Sequence, residues 1–256
     1  MLNLPIHIPS THPTGPLVFY FPQFHPIPEN SKFWGENFTE WNNIDRMTQT
    51  SNPYLDVFIP SEQYNLRSLA TRQRHGRIAA EYGLGGFIYY HYWFKDRAVM
   101  AGILDDILKD GNPNASFALC WANENWTRRW DGGNRDVLME QTYEETYSRK
   151  HYDFLAPLFR HPLYIRTPSG AVVFFVYCAD GSFSTALAAR LSLWRKWLRV
   201  DGIGELHVVQ MFGPPLQNPL NGVVPWADGV AEFWPAYSYF ARPEIIGNRK
   251  LHRCHY

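Results

Sequence analysis

The feature that most constrains the fold is an alternation along the chain. Short apolar runs rich in β-branched and aromatic residues are followed by segments with helical periodicity. Such alternation is typical of repeated βα units that build a parallel sheet. Six strands are predicted, at residues 17–21, 86–90, 117–121, 171–177, 206–211 and 229–233. The pattern therefore indicates an α/β fold of the (β/α)8 TIM-barrel type.

The strand count falls short of a closed barrel, which needs eight strands. The sequence after Phe240 is basic and irregular, and it is too short for two further βα units of roughly 30 residues each. No Gly/Ser-rich linker divides the chain. We therefore expect one barrel domain over residues 1–240, with about six of the eight βα units, and an irregular tail at residues 241–256.

Helix signals lie between the predicted strands. One helix is predicted over residues 65–82 and ends before Gly83, and the next ends at Gly111, because glycine commonly closes helices. Thr142, followed three residues later by Glu145, forms a capping-box pattern that predicts the start of a further helix. The stretch after the first strand is polar and rich in proline, and its length predicts a functional loop.

Composition narrows the class of partner. Lys plus Arg and Asp plus Glu both number 24, so no net charge attracts nucleic acid or an anionic membrane. Aromatic residues make up 16% of the chain, and many stand beside Asn, Glu, His or Arg. This mixture suits sugars, whose C–H faces stack on aromatic rings while their hydroxyls form hydrogen bonds. A neutral glycan is the predicted partner, and the oligomeric state stays open.

Cysteine usage and targeting signals predict the compartment. The chain has three cysteines, Cys120, Cys178 and Cys254, and no CxxC pair, which argues against a disulfide framework and favours a reducing environment. No signal-peptide pattern and no run of 18 apolar residues is present, so no transmembrane segment is predicted. We expect a cytoplasmic location.

Motifs for cofactors and metals are missing from the sequence. No glycine-rich phosphate loop follows a strand, and no HxxxH spacing or carboxylate cluster falls at a strand end. We therefore predict neither a cofactor nor a metal ion.

The residues that follow the predicted strands are polar and aromatic, and in a β/α barrel the active site forms there. Glu40 and Glu124 are the predicted catalytic pair, because glycoside chemistry normally uses one protonated and one ionised carboxyl group. The sequence alone does not establish whether they face each other. The candidate sugar-binding residues are Tyr20, Gln23, His25, Trp41, His91, Tyr92, Trp93, Trp121, Asn123, Trp126, Asp131, Tyr177 and Glu232.

The most informative segment is CWANENWTRRWDG, residues 120–132, which sets a carboxylate between two amides and two tryptophans. We interpret it as sugar-binding, with Trp121 and Trp126 as stacking surfaces. The alternative is a turn or N-cap cluster, because Asn and Asp favour such positions, although caps do not require tryptophan. Two interpretations of His91 also remain open. It contacts a substrate hydroxyl, or it is a buried, hydrogen-bonded histidine.

At these residues the chain resembles the WbsX-type glycosyltransferase-like proteins, also described as glycoside hydrolase family 99-like domains. The matching pieces are FYFPQFHPIPEN (19–30), FTEWNN (38–43), GFIYYHYWF (86–94), CWANENWTRRWDG (120–132), VVFFVY (172–177) and DGVAEF (228–233). They occur in the family's order over nearly the whole chain. Departures from the family pattern are Asn37, where Gly is usual, and Asn65, where Asp is usual.

The resemblance implies a barrel that acts on glycans in the biosynthesis of bacterial surface polysaccharide such as O-antigen, as a glycosyltransferase. An alternative it implies is a retaining endo-α-glycoside hydrolase of the endo-mannosidase kind. The related hydrolases use two glutamates near the end of the barrel. In the WbsX-like proteins the resemblance places these glutamates in an Asn-Glu-Trp-x-Glu-Gly motif, which this sequence does not contain. A third possibility is a remnant that binds glycan without catalysis.

Overall fold

The central feature of the computed structural model is a parallel sheet of six strands, formed within the described residues 11–48, 62–128, 133–179, 184–212 and 224–232. The strands are β1 (Leu17–Tyr20), β2 (Gly86–Phe94), β3 (Arg97–Val99), β4 (Phe117–Trp121), β5 (Trp126–Arg128), β6 (Gly133–Met139), β7 (Val172–Val176), β8 (Leu206–Phe212) and β9 (Gly229–Glu232). The six parallel strands lie in the order β1-β2-β4-β7-β8-β9, each beside the next one along the chain. This order confirms the predicted TIM-barrel-like fold with six of the barrel's strands.

The middle strands β4 and β7 are buried along their whole length. Helices cover one face of the sheet, and the other face is the interior of the barrel, so residues pointing in both directions must be apolar. This explains the uninterrupted runs FALCW and VVFFV. The buried residues of the interior face are Ile88, Ala118, Cys120, Val173, Phe175, Val209 and Met211, joined by Ile165.

Six α-helices connect the described strands. They are α1 (Pro28–Trp34), α2 (Glu40–Thr48), α3 (Leu69–Glu81), α4 (Gly102–Asp110), α5 (Ser148–Phe159) and α6 (Ser184–Val200). Apolar residues of α4, α5 and α6, such as Ile103, Leu155 and Trp194, are fully buried in the cluster that packs on the sheet. The helix ends predicted at Gly83 and Gly111 are confirmed, because both residues have φ of 70°, where a side chain would be strained.

The predicted capping box is wrong. A 3-10 turn occupies Glu145–Tyr147, and α5 begins only at Ser148, without a side-chain cap. The Oγ1 atom of Thr142 is buried and has no hydrogen-bond partner among the described residues. The backbone at this point is held by Arg190, whose Nη2 donates to the carbonyl oxygen of Glu144 at 2.9 Å. This bond to α6 ties the segment before α5 to the next helix but does not cap the N–H groups of α5.

The stretch after β1 is not the loop that was predicted, because it contains α1 and α2. Two other elements were not predicted at all. Strand β2 continues past residue 90 and pairs with the antiparallel β3, and a β5–β6 hairpin follows β4. These short strands have no apolar alternation of their own, and their pairing depends on neighbours in space.

The predicted tail, residues 241–256, lies outside the described residues, and so does Cys254. Cys120 and Cys178 are buried free thiols. In the part of the chain that the structure describes, no helix has the length and apolar character needed to cross a bilayer.

Candidate functional site

Three tyrosines line the interior face at the carboxyl ends of the parallel strands. Tyr90 and Tyr92 alternate along β2, so both point into the barrel, and their ring centroids are 6.4 Å apart. Tyr177 follows β7, and its ring lies 6.3 Å from that of Tyr90. All three side chains are half-buried, so the face presents both ring surface and phenol groups to the mouth of the barrel.

Two glutamates from distant segments raise the pKa of Tyr92. Burial is the main cause of this rise above the ordinary value, and the charges of Cys120, Glu124, Tyr177 and Glu40 raise the pKa further. Glu124 is exposed just after β4, whereas Glu40 is half-buried at the start of α2 and accepts a hydrogen bond from Asn43 Nδ2 at 2.9 Å. Both members of the predicted catalytic pair therefore disfavour ionisation of the same phenol.

The side chain of Asn123 links the chain segments that follow β4 and β7, which carry Glu124 and Tyr177. Its Nδ2 donates to the Cys178 carbonyl oxygen at 2.6 Å and to Tyr143 Oη at 2.8 Å, and its Oδ1 accepts from the Cys178 amide at 2.7 Å. Both amide hydrogens and the acceptor are thus used inside the protein. Asn123 joins the ends of β4 and β7 and so sets the spacing of the residues beside it.

Trp126 forms an aromatic wall next to the carboxylates. Its ring stacks on Tyr92 at 5.9 Å with an interplanar angle of 23°, and on Phe94 at 6.2 Å with an angle of 11°. Trp126 is half-buried and therefore keeps accessible ring surface. Of the four tryptophans among the candidate sugar-binding residues, it is the one that stacks on an interior tyrosine.

His91, Trp93 and Trp121 point to the opposite face of the sheet. They lie among the helices with exposures of 1%, 3% and 0%, so no ring face is available to a sugar. The Nε2 atoms of His91 and His151 are 2.7 Å apart, and Trp93 stacks on the His151 ring at 4.4 Å. Burial lowers the pKa of both histidines, and the neighbouring Arg190 lowers that of His151 further.

The histidine pair predicts a loss of stability in mild acid. The unfolded chain protonates its histidines near pH 6.5, whereas the buried pair stays neutral, so unfolding takes up protons below that pH. Stability should therefore fall as pH drops below about 6.5, by up to about 1.4 kcal/mol per pH unit for each histidine. Urea unfolding at a series of pH values from 7 to 5 measures this slope.

Two variants test whether His91 and His151, and not other histidines, cause the loss of stability in acid. The double variant His91→Phe/His151→Leu should flatten the pH dependence, whereas His12→Gln, at an exposed position, should leave it unchanged. An equally steep slope in the double variant would show that other groups cause the acid sensitivity.

Four further predicted residues, Tyr20, Gln23, His25 and Trp41, belong to β1 and the segment after it. Tyr20 Oη is hydrogen-bonded to His75 Nδ1 on the helix side, and the indole N–H of Trp41 donates to the Tyr64 carbonyl oxygen at 2.7 Å. Gln23 is 7% exposed. His25 is 2% exposed, and burial, aided by the nearby Arg67, lowers its pKa to about 4.

Two predicted residues have no described side chain. Asp131 lies outside the described residues, and Glu232 ends β9 but only its backbone is described. Within the described ranges, no group of three or more His, Cys, Asp or Glu side chains is placed to hold a metal ion.

Tyr90 is a site residue that the sequence reasoning missed. Burial raises its pKa, and Cys120, Tyr177, Tyr92 and Glu124 contribute further. The signal was available, because residues two apart on a strand share a face, and Tyr90 stands two residues before Tyr92.

The chain matches the model of the family described as Glycosyltransferase WbsX over residues 16–246. It is 36% identical over 248 residues to an uncharacterized protein, WxcX, of Xanthomonas campestris pv. campestris, a match that covers 96% of this chain and 34% of that protein. WxcX from a second strain, B100, is 36% identical over 246 residues, with 95% and 34% covered. The chain thus spans about a third of the length of these curated relatives.

Two solved structures of the GH99 endo-alpha-mannosidase from Bacteroides thetaiotaomicron are remotely similar. The complex with BIS-TRIS-propane has 13% sequence identity and a TM-score of 0.35, and the match covers 77% of this chain and 69% of that one. The second has 12% identity and a TM-score of 0.35, with 84% and 83% covered. The TIM-barrel-like fold is assigned from the strand order within this chain.

Proposed function

The chain belongs to the WbsX glycosyltransferase family, and we propose that it acts on a neutral glycan as a sugar-transferring domain in the assembly of bacterial surface polysaccharide. In this proposal the sugar lies at the carboxyl end of the sheet. Tyr90, Tyr92 and Tyr177 supply hydrogen-bonding phenols, and Trp126 supplies a stacking face.

The observation that carries the proposal is the stacking of Trp126 on Tyr92 at the carboxyl end of the sheet, with Glu124 two residues before Trp126. In the proposal, a sugar held on these rings is acted on by Glu124 and Glu40. Glycosyl chemistry needs groups that take and give protons at such a position. The balanced composition, with 24 acidic and 24 basic residues, supports a neutral partner.

The same pair of carboxylates supports a second candidate, a retaining endo-α-glycoside hydrolase. That reaction uses one carboxyl group as acid and the other as nucleophile, with the two about 5–5.5 Å apart. The two candidates differ in their second substrate, because a hydrolase uses water whereas a transferase requires an activated sugar donor.

The cytoplasm is the proposed location, since sugar donors activated with a nucleotide are made there. The buried free thiols of Cys120 and Cys178 support a reducing compartment.

A panel of neutral glycans tests the proposal on the complete chain. The panel contains mannose, glucose, galactose and rhamnose, each as the free sugar and as α-linked di- and trisaccharides, with and without nucleotide-activated donors. Mass spectrometry of the products and calorimetric titration are the measurements. We expect extension of one trisaccharide only when a donor is present.

Each other outcome has a defined meaning. Cleavage in water alone would replace the transferase with the hydrolase. Binding without turnover would replace both with a glycan-binding remnant, and the absence of both binding and turnover would overturn the proposed function.

A further inference from the structure

A row of aromatic rings continues outward from the carboxylates to α1. The ring of Trp126 lies 5.9 Å from Tyr92 on one side and 5.9 Å from Trp34 on the other, with interplanar angles of 23° and 45°. Glu124 and Glu40 both raise the pKa of Tyr92. Trp34 is therefore the next large aromatic ring after Trp126 in this row.

Trp34 also contacts the segment that carries the second carboxylate. Its ring lies 5.7 Å from that of Phe38, a buried residue two positions before Glu40. Trp126 stands two positions after Glu124. Trp34 thus bridges the two chain segments that deliver the carboxylates to the mouth of the barrel.

Contacts within the protein hold Trp34 and Trp126 in place before any ligand binds. Arg128 Nη2 donates to the Phe33 carbonyl oxygen at 3.1 Å, which ties the β5–β6 hairpin to α1. Arg97 of β3 forms an ion pair with Glu29 of α1. The Phe33 ring meets Trp126 edge-on at 6.3 Å and 76°. A surface fixed in this way loses little conformational entropy when a ligand orders on it.

The exposure of these rings separates them from the tryptophans of the core. Trp34, Trp126 and Tyr92 are half-buried, whereas Trp93 and Trp121 are closed within the helical layer. A half-buried indole keeps ring surface on which the C–H face of a sugar can stack. No charged residue belongs to this row of rings, which suits a neutral ligand.

We infer that Trp34 and Trp126 form an outer sugar subsite, so that the glycan recognised is an oligosaccharide of two or more residues. One sugar lies at Tyr92, and the next lies on the two indoles. This inference rests on the proposed function and adds to it a chain-length preference that Trp34 provides.

The test compares the affinity of the wild-type chain and of variants for the free sugar and the trisaccharide from the panel above, by calorimetric titration. Wild type should bind the trisaccharide more tightly than the free sugar. Trp34→Ala should weaken trisaccharide binding by about tenfold and change free-sugar binding by less than about twofold, because it removes one stacking surface. Trp34→Phe should restore most of the difference.

Matched variants keep the result interpretable. Trp197→Ala removes a half-buried tryptophan of α6 that packs on Tyr152 of α5, and it should leave both affinities unchanged. If Trp34→Ala lowers the melting temperature, Trp34→Leu keeps the apolar volume without the flat ring and takes its place.

The inference and the proposed function fail in different ways. Equal affinity of wild type for free sugar and trisaccharide, or an equal loss of both in Trp34→Ala, would overturn the subsite while glycan binding stands. If no member of the panel binds or reacts, the proposed function itself is overturned.

Discussion

Replacing Glu124 with glutamine is expected to reduce turnover of the glycan by at least about a hundredfold while binding is retained. The amide has nearly the size of the carboxylate but does not exchange a proton at the reacting oxygen. Glu124 is exposed after β4, so the substitution should change stability by no more than about 0.5 kcal/mol. Initial rates and calorimetric titration of the same protein preparation check both parts.

Two further variants define the role of Glu124. Glu40→Gln should also reduce turnover, because Glu40 is the second carboxylate of the proposed catalytic pair. Glu81→Gln, at an exposed position at the end of α3, is the control and should have the wild-type rate. A wild-type rate in Glu124→Gln would eliminate Glu124 as a catalytic residue and leave it at most a binding role.

Replacing Trp194 with alanine is expected to destabilise the fold by about 3–5 kcal/mol. The indole is fully buried and lies 5.9 Å from Trp121, 4.7 Å from His151 and 5.6 Å from Phe174, ring to ring. Its N–H donates to the Ser148 carbonyl oxygen at 3.2 Å, so the substitution also removes a buried hydrogen bond. The substitution therefore disrupts contacts among α5, α6 and two central strands at once.

Thermal and urea unfolding measure this loss, and the melting temperature should fall by about 10 °C or more. Trp197→Ala is the matched control, because it removes the same side chain from a half-buried position one turn away. We expect it to cost about 1 kcal/mol. Equal losses for the two tryptophans would contradict the central position assigned to Trp194.

The strand pattern predicted the sheet because burial on both faces leaves a clear local signature. Runs such as FALCW and VVFFV contain no polar position, and each run is only as long as a strand. Helix ends at Gly83 and Gly111 were predicted for a similarly local reason, since the left-handed conformation favours glycine. The capping box failed because a 3-10 turn at Glu145–Tyr147 delays the start of α5 to Ser148, beyond the reach of Thr142.

For the candidate site, the sequence determined which chain segments carry polar and aromatic residues at strand ends, and it singled out Glu40, Glu124 and Trp126. It could not assign the residues of β2 to a face, because GFIYYHYWF is apolar or aromatic on both faces. Only the packing of α5 and α6 decided that His91 and Trp93 lie among the helices while Tyr90 and Tyr92 face the barrel. Local sequence fixes where a strand begins and ends, but the direction of a side chain on a strand buried on both sides depends on what packs against each face.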